Sequence, residues 1–365
     1  MKIGILAHLK YPIAKPFMGG LEAFTYDICQ RLLLRGHDVL LYACASSDPI
    51  LNVRPILCEE NHHPIVSSQF TSQELCMEFI ATHHAYVEVM QDIDNDGLDV
   101  IFNNSLNYVP IMMAGLVNTP MVTVLHTPPI FELKKAIRRE QDYGRVKYVS
   151  VSESNASNWK EYAPNCDVIS NGIDLTTWNY FPENSGDYVM WFGRIHPDKG
   201  LHLAIQAAKL AGKKMKVAGA VGDAYYYENV IMPLLDESIE LVGHCDHNRL
   251  NELIGNAEVS LITPCWEEPF GLVVAESLAC GTPVAGIARG ALPDLLCTKT
   301  GHLSHGDNVQ DLANSIHAAA KLRRQDCRDR ASAYMDVELM TDAYEKVLKE
   351  VVEQATFQKN SSNVG

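Results

Sequence analysis

The chain reads as an α/β protein of two Rossmann-like, doubly wound domains facing across a cleft. Three observations carry that expectation. Short apolar runs alternate with segments of helical period, the alternation begins again after Gly186, and the two rounds are joined by SNGIDLTTWNYFPENSGD (170–187). A strand–helix–strand alternation at this spacing calls for parallel sheets covered on both faces. The joining segment is rich in Asn, Gly, Asp and Pro, as a connection should be. The first domain is placed at 1–182 and the second at 183–336, with a C-terminal helix near 337–355 returning to the first.

The elements follow in order. KIGILAH (2–8) has the apolar character of a buried strand, and LEAFTYDICQRLLLRG (21–36) then takes a helical period that stops at Gly36. DVLLYAC (38–44), DVIFNN (99–104), MVTVLHT (121–127) and KYVSVS (147–152) read as further strands, with a helix over about 72–91. In the second round, strands fit YVMWFGR (188–194), MKVAGA (215–220), IELVGH (239–244), VSLITP (259–264) and PVAGIA (283–288). LHLAIQAAKLAG (201–212) has a helical period, and TFQKNSSNVG at the end has none and is expected to fray.

Composition narrows the classes. The chain has 365 residues, 47% apolar and 21% charged, enough to bury a core without disulfides or a structural metal. A net charge of −15 argues against a general nucleic-acid binder, and neither half carries a basic excess. No apolar run is long enough to span a membrane, and MKIGILAHLKYP is broken by His8 and Lys10, unlike a secretion signal. The ten cysteines show no C-x-x-C, so they are read as reduced and mostly core. A cytoplasmic protein is expected, in which the N-x-S matches at Asn103, Asn155 and Asn360 carry no meaning.

Ligands of doubly wound sheets bind beyond the strands' carboxyl ends. The richest such position is Glu268-Pro-Phe-Gly-Leu-Val-Val-Ala-Glu276, directly after VSLITP. Pro269 and Gly271 stand where a helix begins, and free N–H groups at a helix start attract phosphate. One carboxylate before that helix and another inside it suit two sets of hydroxyls, because a carboxylate accepts two hydrogen bonds in one plane. The ordinary alternative is a plain strand–helix junction with Glu276 solvated.

This segment resembles the E-x7-E signature of glycosyltransferase family 4, retaining nucleotide-sugar enzymes of the GT-B fold. The resemblance extends over nearly the whole chain. Gly19-Gly20 lies where that family has a glycine-rich loop, His126 ends MVTVLHT, VISNGID (168–174) precedes the linker, and GRIHPDKG (193–200) supplies Arg194 and Lys199. The resemblance implies a hexose transfer with retention, from a nucleoside diphosphate sugar to an acceptor hydroxyl, UDP-glucose ahead of GDP-mannose. It implies catalytic roles for His126, Arg194, Lys199 and Glu268. Donor binding would fall to Gly19, Gly20, Arg194, Lys199, Glu268, Phe270, Gly271, Leu272 and Glu276, with the ribose at Glu276. No metal or other cofactor is implied, since Arg194 and Lys199 can meet the leaving diphosphate's charge. The first domain would take the acceptor, whose identity the sequence does not give. Gly290-Ala291-Leu292-Pro293-Asp294 and Ser170-Asn171 depart from the family's more usual residues. A sugar-nucleotide epimerase or phosphorylase of the same fold, or a non-catalytic nucleotide-sugar binder, are the alternatives.

Other clusters are weaker. Asp92-Ile-Asp-Asn-Asp96-Gly97 imitates the start of a calcium loop, but Asn103 stands at the twelfth position. It is read as an acidic surface turn. The pairs His62-His63 and His83-His84 are read as surface. Lys134, Lys135, Arg138 and Arg139 stack like charges at i,i+4 on one helix. Their functional reading is an anionic acceptor or a peripheral contact with membrane headgroups, and their ordinary reading is a solvated helix face.

Overall fold

The computed structural model describes residues 1–57 and 72–362. The chain divides into two compact units, Met1–Ser170 with Glu338–Gly365, and Asn171–Val337. In the first unit seven strands, β1 (Lys2–Ala7), β2 (Asp38–Cys44), β3 (Val53–Leu57), β4 (Val100–Asn104), β5 (Met121–Leu125), β6 (Val146–Ser150) and β7 (Asp167–Val168), form one sheet in the order β3-β2-β1-β4-β5-β6-β7. All its pairings are parallel. In the second unit β8 (Tyr188–Phe192), β9 (Lys214–Ala218), β10 (Ile239–Gly243), β11 (Val259–Ile262), β12 (Val284–Ile287) and β13 (Gly301–Ser304) repeat the plan in the order β10-β9-β8-β11-β12-β13. These pairings are parallel too. Each unit is therefore the doubly wound α/β domain expected. The order reverses beside β1 in one sheet and beside β8 in the other, the switch points at which such sheets bind ligands.

The apolar runs are strands because both of their faces are covered. Every residue of β4, β5, β8, β11 and β12 is buried. In the second unit Val189, Trp191, Val217, Val259 and Leu261 join Leu201, Ala204, Ile205 and Ala208 of the helix Leu201–Leu210 in one core. Each such valine, leucine or isoleucine side chain stabilises the fold by about 1.5–3 kcal/mol relative to exposure.

Three short strands, β3, β7 and β13, lie outside the set expected from sequence. β3 is an edge strand carrying Arg54 and Pro55, and β7 has only two residues. The segment 171–187 belongs with the second unit, so the first ends at Ser170 rather than at 182. Two arginines hold it there: Arg324 donates to the carbonyls of Phe181, Gly255, Ala257 and Cys280, and Arg328 to those of Leu175, Trp178 and Ala279. Several of these carbonyls sit at the ends of the helices His247–Gly255 and Leu272–Ala279, where intrahelical donors run out. The last helix, Val337–Ser362, continues past the expected end near 355. Extending a helix already anchored by buried Val347 and Leu348 needs no further nucleus.

That last helix is clasped to the first unit by charge. Arg35 donates to Glu338, Asp342 and Glu345, Arg31 pairs with Glu338, and His37 with Glu345. Lys349, with Arg35 and His37, holds the Glu345 carboxyl down to about 2. A carboxyl lowered by folding contributes stability above its unfolded value and loses it as pH falls toward the folded one. Arg35→Ala is expected to cost about 1 kcal/mol at neutral pH, with the cost shrinking from pH 4.5 toward pH 2. Urea midpoints of both proteins across that range check this; an unchanged difference would contradict it.

Candidate functional site

In the second unit, residues 69 positions apart meet at the strand carboxyl ends. Lys199 Nζ donates to Glu268 Oε2 at 2.6 Å, and the Trp266 indole N–H donates to the same oxygen at 2.9 Å. Lys199 is placed by a short turn after β8, closed by Gly200 at φ +63°. A Cβ at Gly200 would lie 2.1 Å from the Thr263 carbonyl, so only glycine lets this turn meet the end of β11. Thr263 Oγ1 donates to the Lys199 and Gly200 carbonyls at 3.0 Å, and Cys265 N–H to the Asp198 carbonyl at 2.7 Å. Arg194 is about half exposed, with one nitrogen 3.5 Å from Asp198.

Beyond Glu268 the chain enters the helix Leu272–Ala279 through Gly271, and no side chain caps it. Phe270 is buried and Val274 N–H is bonded to the Gly271 carbonyl, and an uncapped helix start of this kind favours an anion. Glu276 is half-buried on that helix. Burial raises its carboxyl to about 7, and no hydrogen bond or ion pair reaches it among the described residues. It is a carboxylate without hydrogen-bond donors, and the hydroxyls of a ligand would supply them.

Three residues the sequence reading did not single out complete this edge. Trp266 is one. Glu267 accepts from Gly290 N–H at 3.0 Å, and Ala291 N–H donates to the Glu268 carbonyl at 2.8 Å. Gly290 sits at φ +59°, and a Cβ there would lie 2.2 Å from the Glu268 carbonyl oxygen. Arg289 donates to the Pro264 carbonyl and to Asp307. The departure from family pattern at Gly290-Ala291 therefore leaves a loop that still braces the Glu268 segment through its backbone.

In the first unit, His8 follows β1, Asn104 ends β4 and His126 follows β5. His126 Nε2 lies 2.8 Å from Asn104 Oδ1, and its ring meets Phe24 edge-on at a centroid distance of 4.7 Å. Burial, with His8 nearby, pushes the imidazole down to about 3. His126 is thus neutral at ordinary pH, a hydrogen-bonding group rather than a cation. Among the described residues, buried Asn104 Nδ2 has no partner. The sequence reading passed over a buried pair beside it: His8 Nε2 lies 2.8 Å from Glu22 Oε1, and Lys10 N–H donates to His8 Nδ1. Glu22, a charge in the first turn of an apolar helix, was the available signal. It also explains Gly19, whose backbone is extended; a Cβ there would stand 3.0 Å from Glu22 Oε2. Gly19 and Gly20 are both exposed at the start of the helix Gly20–Leu34.

The other clusters separate. In the helix Phe131–Glu140, Arg138 pairs with Glu161 and Arg139 with Asp142, while Lys134 and Lys135 lie 5.7 and 5.6 Å from the Tyr162 and Phe131 rings. The acidic turn is structural. Asp94 accepts four hydrogen bonds from Asn118 and Thr119, and Asp96 accepts from Tyr42 and Arg54. His84 is exposed, but His83 is not a plain surface residue: it is half-buried between the Phe79 and Tyr108 rings. His62-His63 lie outside the described residues. Among the described residues no three His, Cys, Asp or Glu gather as a metal site, and no helix is long and apolar enough to cross a membrane.

Two family models match the chain in tandem, Glycosyltransferase Family 4 over residues 18–177 and Glycosyl transferases group 1 over 179–334. Glycogen synthase of Mycobacterium tuberculosis is 23% identical over 90% of this chain and 91% of its own. D-inositol 3-phosphate glycosyltransferase of Mycobacterium bovis is 33% identical over 43% of this chain and 36% of its own. Among solved structures, Anabaena HepE in complex with UDP and glucose aligns at a TM-score of 0.73 with 19% identity, covering 96% of this chain and 100% of its own. The fold is GT-B, and the two domains make this a glycosyltransferase. The chain belongs to glycosyltransferase family 4.

Glu276 generates a stability prediction. A carboxyl raised by folding favours the native state below its unfolded value and loses that contribution as pH rises through the folded one. Native stability of the ligand-free protein should therefore decline between pH 4.5 and 7, and Glu276→Gln should remove that part of the decline. Thermal midpoints over this range decide it; parallel curves for the two proteins would count against a desolvated Glu276.

Proposed function

We propose that the protein transfers a hexose, with retention of anomeric configuration, from a nucleoside diphosphate sugar to an acceptor hydroxyl. UDP-glucose is the first donor to try and GDP-mannose the second. The observation that carries the reading is the edge of the second sheet. Lys199 pairs with Glu268 there, Arg194 lies in the same loop after β8, and the uncapped helix that starts at Gly271 and Leu272 carries Glu276.

The chemistry follows from charge. Breaking the bond to the sugar leaves negative charge on the diphosphate, and fixed donors stabilise it where it develops. Arg194 offers a fork and Lys199 a point charge. Lys199 has three protons, of which Glu268 takes one, so the ammonium can bridge a sugar-binding carboxylate and a phosphate. Glu276 accepts from ribose hydroxyls, Glu268 from sugar hydroxyls, and the amides near Phe270, Gly271 and Leu272 meet phosphate and sugar oxygens. In the first unit Gly19 and Gly20 leave the helix start open, and neutral His126 serves as a hydrogen-bonding contact for the transferred sugar. These groups answer the diphosphate's charge without a metal. The acceptor is assigned to the first unit. Along the helix Phe131–Glu140 the cations left for an anionic acceptor or headgroup are Lys134 and Lys135, since Arg138 and Arg139 are paired. The glycogen synthase relative and the UDP-and-glucose complex of HepE support a glucose donor.

The test is a thermal shift against UDP, GDP, ADP and TDP and their sugars, repeated on Glu276→Ala. One nucleotide should stabilise the protein clearly and lose that effect in the variant. Because ribose hydroxyls favour the ionised carboxylate, affinity should also rise with pH, by up to about tenfold per unit below pH 7. Folded protein that responds to no nucleotide would overturn the reading.

A further inference from the structure

The segment carrying Glu268 holds a device that the family signature does not describe. Trp266 faces two partners at once. Its indole N–H donates to Glu268 Oε2 at 2.9 Å, and its ring lies 5.1 Å from the Lys199 ammonium, which itself donates to that oxygen at 2.6 Å. Oε2 therefore receives both donors. Oε1 receives none among the described residues, although the Glu268 side chain is only 14% exposed. A carboxylate gripped through one oxygen by two donors has its plane fixed, and its second oxygen is aimed in advance. Indole suits this place because its donor lies on the ring edge while its face remains free for a cation. Phenylalanine would keep the face and lose the donor.

We propose that Trp266 is a positioning residue for recognition of the donor sugar. It sets the Glu268 carboxylate so that Oε1 meets a sugar hydroxyl, and it steadies Lys199 beside it. The inference rests on the nucleotide-sugar reading above and adds a division of labour. The Trp266 N–H matters to the sugar and not to the nucleotide, whose ribose is assigned to Glu276 on the helix beyond, while the ring face beside Lys199 is common to tryptophan and phenylalanine.

Calorimetric titration of W266F against UDP and UDP-glucose, and against GDP and GDP-mannose, tests it. For whichever pair the wild type binds, the variant should hold the free nucleoside diphosphate within about twofold and lose about tenfold in affinity for the sugar nucleotide, the effect of one hydrogen bond to a charged group. An equal loss for both ligands would mean a merely structural role and overturn the proposal, as would no loss for either. If W266F does not fold, β-(3-benzothienyl)alanine at position 266 removes the N–H without changing the shape, with the same expectations. Wild-type protein that is folded and binds none of the four ligands would overturn the nucleotide-sugar reading, and this inference with it.

Discussion

The constraint on which the rest depends is that every strand in each sheet runs parallel to its neighbours. Parallel strands end together, so each unit gathers its strand-end loops on one edge. Helices cover both faces, which makes the strands apolar and leaves polar chemistry only at the ends. Lys199 and Glu268 are far apart in sequence, yet they meet because β8 and β11 are neighbours. His126 and Asn104 meet because β4 and β5 are neighbours.

Close backbone contacts then turn these edges into rigid frames. Gly200 lets the Lys199 turn rest on the Thr263 carbonyl, and Gly290 lets its loop rest on the backbone of Glu268. The charged groups need such a frame because each is incompletely satisfied. Among the described residues, half-buried Glu276 has no donor, Glu268 has a free oxygen, and Asn104 has a buried amide nitrogen without a partner. Groups of this kind destabilise a fold unless something binds them. Leu106, in the loop after β4, adds a left-handed backbone at φ +54° that costs about 1 kcal/mol. It is flanked by hydrogen bonds from the amides of Ser105, Asn107 and Val109 to the side chains of Asn103, Ser105 and Asn107.

Much of this was legible in the sequence because burial on both faces writes itself as uninterrupted apolar runs. KIGILA, YVMWF and VSLI announce their strands, and the two glutamates around a Pro-Phe-Gly turn announce the helix start. Edges are harder to read. β3 contains Arg54 and Pro55, and β13 is GHLS, with a glycine and two polar residues. The limit of the second unit was hidden because Arg324 and Arg328, far along the chain, decide where 171–182 belongs. Trp266 and the His8–Glu22 pair were missed for a related reason. Their roles are hydrogen bonds made to particular atoms, and no periodicity reports those.

The central claim is that the diphosphate of a nucleotide sits at the carboxyl end of the second sheet. A crystal structure with the nucleoside diphosphate that binds tests it most directly. Phosphate oxygens are expected within about 3 Å of Arg194, Lys199 and the amides at Gly271 and Leu272, with the ribose hydroxyls on Glu276. A nucleotide bound elsewhere, with Glu276 still lacking donors, would contradict it.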